Sequence, residues 1–219
     1  SATANSGHHF TQWNDGNSNA SRTITVTGNA TYIASFAANA TPGSSDTISW
    51  CDTASYSSTI GAGGTLYWGI SLTPTQLSGH NYLKSVMLYV ANAGTYTLRL
   101  HTGGTTAPGT LAHSQTVTFT ESQLGWQEIL LDATFPINAT QNLWITFYNS
   151  GVAYPAAGCA YVGNTNSDWA SVDDAAWDHL QNLEATLTYS WLIKAVTSQN
   201  AGPLPAPTVS IAGPTFTAT

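Results

Sequence analysis

Charged side chains are scarce in this sequence. Asp, Glu, Lys and Arg make up 7% of the 219 residues, against about 25% in ordinary soluble domains. The formal net charge is −7, and the four basic residues form no cluster along the chain. Phosphate backbones and anionic membrane surfaces are bound by grouped Lys and Arg side chains. The sequence therefore predicts no nucleic-acid partner and no attraction to anionic membranes.

Long apolar runs are also missing. No stretch approaches the roughly 20 residues that a helix needs to cross a bilayer, so we expect no membrane insertion. A signal peptide is missing as well. If the protein is exported, its signal lies upstream, and the sequence is then part of a longer chain.

Cysteine occurs only twice, as Cys51 and Cys159. Their positions match neither a zinc-binding spacing nor a C-x-x-C redox motif. In an exported protein the economical interpretation is one disulfide between the start of the main domain and a late loop. Such a bridge would add about 4 kcal/mol to stability. The alternative is two buried free thiols, because sequence does not fix the distance between two cysteines.

Catalytic signatures are missing too. The chain has neither G-x-S-x-G nor H-E-x-x-H, and Cys159 lacks the sequence context of a cysteine protease. Glycoside hydrolysis needs two carboxylates that flank the bond to be cleaved. Nothing in the positions of the glutamates indicates such a pair. The three glutamates are Glu121, Glu128 and Glu184. We therefore expect no enzymatic activity.

What the chain does contain is typical of short β-strands. Hydrophobic residues reach 42% and aromatic residues 11%, which argues against disorder. Thr, Val, Ile, Tyr, Phe and Trp alternate in short runs separated by Gly, Asn, Pro and Ser. In the first segment, residues 1–38, strands are predicted at 8–13, 22–27 and 31–36. Residues 39–49 are predicted to be a linker or an edge segment.

The main domain is predicted to cover residues 50–198. Its alternation predicts an all-β fold, a jelly-roll-like antiparallel β-sandwich. Residues 150–183 break the rhythm and are either a functional loop or locally structured. Residues 199–219 are predicted to be a Pro-rich linker and the first strand of a truncated Ig-like domain. The strand candidates are 65–71, 82–90, 95–101, 111–118, 126–131, 143–148 and 186–196.

The first segment contains a distinctive string of aromatic, turn and strand residues. It reads G-H-H-F-T-Q-W-N-D-G, followed after N-S-N-A by S-R-T-I-T-V-T-G-N-A-T-Y-I-A-S-F. This string resembles the second half of an internalin-B-type β-repeat from secreted, multi-modular surface proteins of Bacteroidetes, which implies a partial extracellular spacer or adhesive repeat. The resemblance also implies that Trp13 and Phe36 are core residues rather than ligand platforms.

Three strings of the main domain also stand out, namely S-S-T-I-G-A-G-G-T-L-Y-W-G-I, Q-N-L-W-I-T-F-Y-N-S-G-V-A-Y-P-A-A-G-C and Y-S-W-L-I-K-A. Together they resemble a second module of the same proteins. That module is a β-sandwich attached to secreted peptidases and adhesins. The resemblance implies a secreted or cell-surface location and a sandwich architecture, but it implies no ligand.

An acidic stretch, D-W-A-S-V-D-D-A-A-W-D, follows in the long insertion. Ca²⁺ takes six to eight oxygen ligands, often from loops. Asp173, Asp174 and Asp178 are therefore candidate ligands of a structural calcium ion, although their spacing is not that of an EF-hand. The favoured alternative is a solvated loop in which the aspartates form turns.

Two tryptophans flank these aspartates. An aromatic ring beside hydrogen-bonding side chains can hold a sugar, because the ring stacks on its C–H face while the hydroxyls are paired. The candidate ligand-binding residues are therefore Trp169, Trp177, Asp168 and Asn166. The alternative is that both tryptophans pack the long loop against the sandwich. Tyr67 and Trp68 are adjacent in a predicted strand, so one of them should face the core.

These features predict an extracellular binding or adhesion module of a larger bacterial surface or secreted protein. Carbohydrate is the favoured ligand class, and the partner would be a glycan or another ligand on a host or cell surface. We expect a monomer within a longer chain. One alternative is a structural spacer or protein-interaction domain of a secreted peptidase or glycoside hydrolase. Another is an accessory domain whose parent is a glycoside hydrolase.

Overall fold

The structure, a computed structural model, describes residues 1–2, 8–23, 31–38, 46–51, 56–160 and 164–199. The chain divides into two compact units, Ser1–Pro42 and Gly43–Thr219. The division falls inside the linker predicted at residues 39–49.

The first unit contains an antiparallel pair of strands, β1 (His8–Trp13) and β2 (Ala34–Ala38). The strand predicted at 8–13 is confirmed, whereas the strand predicted at 31–36 begins only at Ala34. The candidate strand at 22–27 lies mostly outside the described residues.

Aromatic contacts surround a single arginine in this unit. The guanidinium of Arg22 lies 5.0 Å from the ring centroids of both Trp13 and Tyr32, and it forms a 2.7 Å ion pair with Asp15. Contacts of this kind stabilise by about 0.5–1 kcal/mol at exposed sites. Trp13 therefore has a packing role, whereas Phe36 is 41% exposed and is not a core residue.

The described part of the second unit contains strands, two four-residue helices, α1 (Pro74–Leu77) and α2 (Leu180–Leu183), and a short 3-10 helix at Glu121–Gln123. Among the described residues, no helix has the length and hydropathy needed to span a membrane. The strands are β3 (Asp46–Ser49), β4 (Ser58–Ile60), β5 (Leu66–Leu72), β6 (Tyr82–Val90), β7 (Gly94–Thr102), β8 (Thr110–Phe119), β9 (Gly125–Pro136), β10 (Leu143–Asn149), β11 (Ala156–Ala160), β12 (Trp169–Ser171), β13 (Asp178–His179), β14 (Tyr189–Trp191) and β15 (Ile193–Ser198).

These strands form three sheets, and their pairings are antiparallel. The six-stranded sheet has the order β13-β12-β5-β10-β7-β8, and the four-stranded sheet has the order β3-β15-β6-β9. A small third sheet has the order β14-β11-β4. The predicted all-β antiparallel sandwich is confirmed, and its jelly-roll-like character stays a prediction.

One hydrophobic core is shared by the two large sheets. Trp68 and Ile70 of the six-stranded sheet are fully buried in it, together with Val86 and Leu88 of the four-stranded sheet. Full burial of a side chain of this kind stabilises by about 1.5–3 kcal/mol. Trp68 faces the core and the adjacent Tyr67 does not, so the expectation from alternation is confirmed.

Two predicted connections carry regular structure. Residues 46–49 form β3 at the edge of the four-stranded sheet, so the linker prediction is wrong for them and the edge-segment alternative is right. Residues 150–183 contain β11, β12, β13 and α2, so this insertion is locally structured. Its strands A-A-G-C-A and W-A-S are short and largely buried on both faces. Because both faces are buried, apolar and polar residues do not alternate along them, and the sequence pattern did not predict these strands.

The strand predicted at 186–196 is divided at Leu192 into β14 and β15. The Leu192 N–H donates to the Ala157 carbonyl, and the Leu192 carbonyl accepts from the Tyr89 N–H, both at 3.1 Å. Leu192 thereby links the third sheet to the four-stranded sheet. The tail at 199–219, with its predicted Ig-like strand, lies outside the described residues apart from Gln199.

A disulfide joins Cys51 to Cys159 of β11 across a sequence separation of 108 residues. Both cysteines are buried and pack with Ala157 and Leu192. The bridge therefore ties the segment after β3 to the third sheet, where Leu192 already makes its backbone contacts.

Replacing both cysteines, Cys51→Ala with Cys159→Ala, should lower the free energy of unfolding by about 4 kcal/mol, because the unfolded chain regains the entropy of a long loop. Denaturant titration measures the change. The wild type under reducing conditions is the control and should show a similar loss. An unchanged denaturation midpoint in the double variant would show that the bridge adds no stability.

Candidate functional site

The six-stranded sheet turns one face away from the core, and we call it the outer face. Strand pairing places its side chains in rows across the sheet. One row contains Tyr67 of β5, Tyr148 of β10 and Thr97 of β7. The next row contains Trp169 of β12, Gly69 of β5, Thr146 of β10 and Arg99 of β7.

An ion pair crosses this face, and we call it the clasp. Both terminal nitrogens of Arg99 donate to the carboxylate of Asp174, at 2.6 and 2.7 Å. Asp174 belongs to the loop at 172–177 that follows β12, so the clasp spans β5 and β10 and ties this loop to β7. Asp174 has a φ of 64°, a left-handed conformation that costs free energy for residues other than glycine. This conformation occurs at the residue whose carboxylate pairs with Arg99.

The half of the outer face beside the loop is covered by tryptophans. The ring of Trp144 lies 5.1 Å from that of Trp169 and 6.2 Å from that of Trp177. Trp169 also contacts the His179 ring at 4.0 Å and is only 6% exposed. Trp144 and His179 therefore cover the indole, so Trp169 packs the long loop against the sheet, which was the alternative to a sugar platform. Trp177 stays partly exposed and donates its indole N–H to the Asp174 carbonyl at 3.3 Å.

The two polar candidates next to Trp169 have internal partners. Asp168 is 2% exposed, and its carboxylate lies 2.8 Å from Nδ1 of His179. Burial raises the pKa of Asp168, and the hydrogen bond from His179 partly offsets this effect. The Asn166 carbonyl accepts from the Ser71 N–H at 2.8 Å. Asp168 is thus a buried structural carboxylate. The Asn166 backbone extends the contacts of β5, and ligand binding by the Asn166 side chain stays a prediction.

The aspartates of the acidic stretch form turns and ion pairs. Asp173 accepts from the N–H groups of residues 175 and 176 at 2.9 Å, and these hydrogen bonds lower its pKa. Asp178 accepts from Asn182 and from the His179 N–H at 2.7 Å, which lowers its pKa as well. Within the described residues, no group of three or more His, Cys, Asp and Glu could hold a metal ion. Calcium binding by Asp173, Asp174 and Asp178 stays a prediction.

The other half of the outer face presents two partly exposed tyrosines. Tyr67 and Tyr148 are direct cross-strand partners, with ring centroids 5.2 Å apart and planes inclined by 30°. The Arg99 guanidinium lies 5.1 and 5.3 Å from these two centroids and fixes both rings from one side. Alternation indicated that Tyr67 or Trp68 faces away from the core. The pairing of Tyr67 with Tyr148 depends on strand register, which the sequence did not reveal.

Two grooves lie at this end of the sheet, and Tyr148 lines the first of them. The first groove has a volume of about 500 Å³ and is lined by residues 93–95, 97 and 148–152. The second groove has a volume of about 390 Å³ and is lined by residues 63–65 and 150–153. Both volumes lie in the range of ordinary ligand sites. The turn at 150–152 lines both grooves, so they meet at the end of the sheet next to Tyr148.

Comparisons with known proteins give no match: no protein-family model, curated protein or solved structure is significantly similar to this chain. The interpretation of the site therefore rests on its geometry and chemistry.

Asp174→Asn should lower the free energy of unfolding by about 1–2 kcal/mol, a value between those of exposed and of buried ion pairs. The change removes the charge of a bidentate pair whose side chains are 11% and 34% exposed, while asparagine tolerates the left-handed backbone. Loosening of the loop should also shift tryptophan fluorescence to longer wavelength, because Trp177 becomes more solvated.

The matched control is Asp132→Asn, which removes a carboxylate that lies 3.4 Å from His113 and belongs to a side chain that is 66% exposed. Such surface pairs contribute about 0–1 kcal/mol, so its unfolding curve and fluorescence should match the wild type. Equal effects of the two variants would contradict the role assigned to the clasp.

Proposed function

We propose that this chain is an extracellular carbohydrate-binding module of a larger surface or secreted protein, and that the open half of the outer face is its site. The observation that carries the proposal is the Tyr67–Tyr148 pair, which is partly exposed, contacts Arg99 and contributes Tyr148 to the lining of the first groove. A sheet face that serves only as a spacer has no need of a fixed aromatic pair at a concave surface.

The chemistry of this half matches a sugar ring. Tyrosine rings offer flat apolar surface to the C–H face of a pyranose, and their hydroxyls pair with sugar hydroxyls. Thr97 adds a hydroxyl in the same row. The combination of aromatic faces with a few polar groups in a groove is the usual composition of a small-molecule site.

An extracellular location is supported by two features. The Cys51–Cys159 disulfide suits an oxidising compartment, since disulfides are rare in the cytosol. The resemblance of both units to modules of secreted proteins agrees with this location.

Tyr148→Ala should weaken binding to the best ligand of a glycan array at least about tenfold, which equals 1.4 kcal/mol of lost stacking. Tyr148→Phe should keep most of the affinity, because it preserves the ring. Isothermal titration calorimetry with the full 219-residue chain measures both variants, and thermal melting shows that each is folded.

The control is Tyr56→Ala, since Tyr56 is 42% exposed and stacks on Tyr89 of the four-stranded sheet instead. It should bind as the wild type does. A wild type that binds no glycan on the array would instead favour the spacer function, and equal loss in both variants would place the site elsewhere.

A further inference from the structure

We infer that the site takes a neutral glycan chain, bound along its length with sugar rings on both sides of the turn at 150–152. This inference rests on the proposed function and adds the charge class and the extended form of its ligand.

Neutrality follows from the lining of the two grooves. None of the described lining residues carries a formal charge, and hydroxyl, amide and backbone groups supply their polarity. The charged side chain that contacts Tyr148 is Arg99, and both of its terminal nitrogens already donate to Asp174. An anionic sugar is normally held by an arginine whose fork is free to bind it.

Long-range electrostatics point the same way. The chain has a formal net charge of −7, so it repels a polyanionic glycan before contact. At moderate salt this repulsion acts over distances of up to about 10 Å, beyond which it is largely screened. With no free cation in the described grooves to offset that repulsion, an uncharged glycan is the ligand class that fits.

An extended ligand follows from the arrangement of the grooves. The first groove reaches Thr97 and Tyr148, and the second reaches Thr65, which lies two residues before Tyr67. The two tyrosine rings are 5.2 Å apart, and both grooves share residues 150–152. A chain that crosses this turn can therefore contact both grooves, whereas a single sugar ring occupies one of them.

Two glycines keep the grooves open. A Cβ placed on Gly64 or on Gly151 would meet no atom within 4 Å, and neither residue has a left-handed backbone. A larger side chain at either position is thus accepted by the fold and projects into open space. Gly151 lines both grooves, whereas Gly64 lines only the second, so the two positions can be used to block the grooves selectively.

The experiment measures affinities of the full chain for neutral glucose, mannose and xylose oligosaccharides, from disaccharide to hexasaccharide, and for polygalacturonate. The wild type should bind one hexasaccharide series at least about tenfold more tightly than its disaccharide. Gly151→Leu should weaken hexasaccharide binding at least about tenfold, and Gly64→Leu should reduce the gain in affinity from disaccharide to hexasaccharide. Thr75→Leu, which adds a leucine in α1 beyond the other end of β5, is the control and should bind as the wild type does.

Unchanged melting temperatures establish that the leucine variants are folded. Equal affinities for disaccharide and hexasaccharide, full hexasaccharide binding by Gly151→Leu, or tighter binding of polygalacturonate would each overturn the inference while leaving a glycan-binding function in place. Failure of every probe to bind the wild type would overturn the proposed function, and the inference with it.

Discussion

The ion pair between Arg99 and Asp174 determines which half of the outer face of the six-stranded sheet is covered and which half stays exposed. It ties the loop at 172–177 across two strands to β7, and this loop carries Trp177 onto Trp144. One half of the face is thereby covered and becomes a second layer of packing. On the other side the same guanidinium contacts Tyr67 and Tyr148. The Arg99 side chain therefore contacts both the covered half and the tyrosine half of the outer face.

The scarcity of charge limits the kinds of interaction that this face can make with a ligand. In a chain with only four basic residues, the arginine at the centre of the face is neutralised by Asp174, and the adjoining grooves are uncharged. Under the proposed function, recognition would come from aromatic stacking and hydroxyl pairing, which are the interactions that neutral sugars offer. The buried disulfide and the shared core supply the rigidity on which such a preformed site depends.

The sequence predicted the fold better than the site, for physical reasons that individual residues illustrate. Strands with one buried face, such as Tyr82–Val90, alternate in sequence and were found with their correct ends, whereas β11 and β12 are largely buried on both faces and do not alternate. The aspartates that flank Trp169 made it a candidate sugar platform, with packing of the loop as the alternative. The structure agrees with packing, since Trp169 is 6% exposed and Asp168 is itself buried against His179. Tyr148 was missed because only strand register brings it beside Tyr67.

The most direct test of the account is to map the bound sugar by NMR. An isotope-labelled full chain titrated with its best neutral oligosaccharide should show amide shifts at Tyr67, Thr97, Tyr148 and residues 150–152. Amides at Trp169 and on the four-stranded sheet should stay where they are. Shifts centred on the covered tryptophans, or on the four-stranded sheet, would contradict the claim that the clasp leaves the tyrosine half as the binding surface.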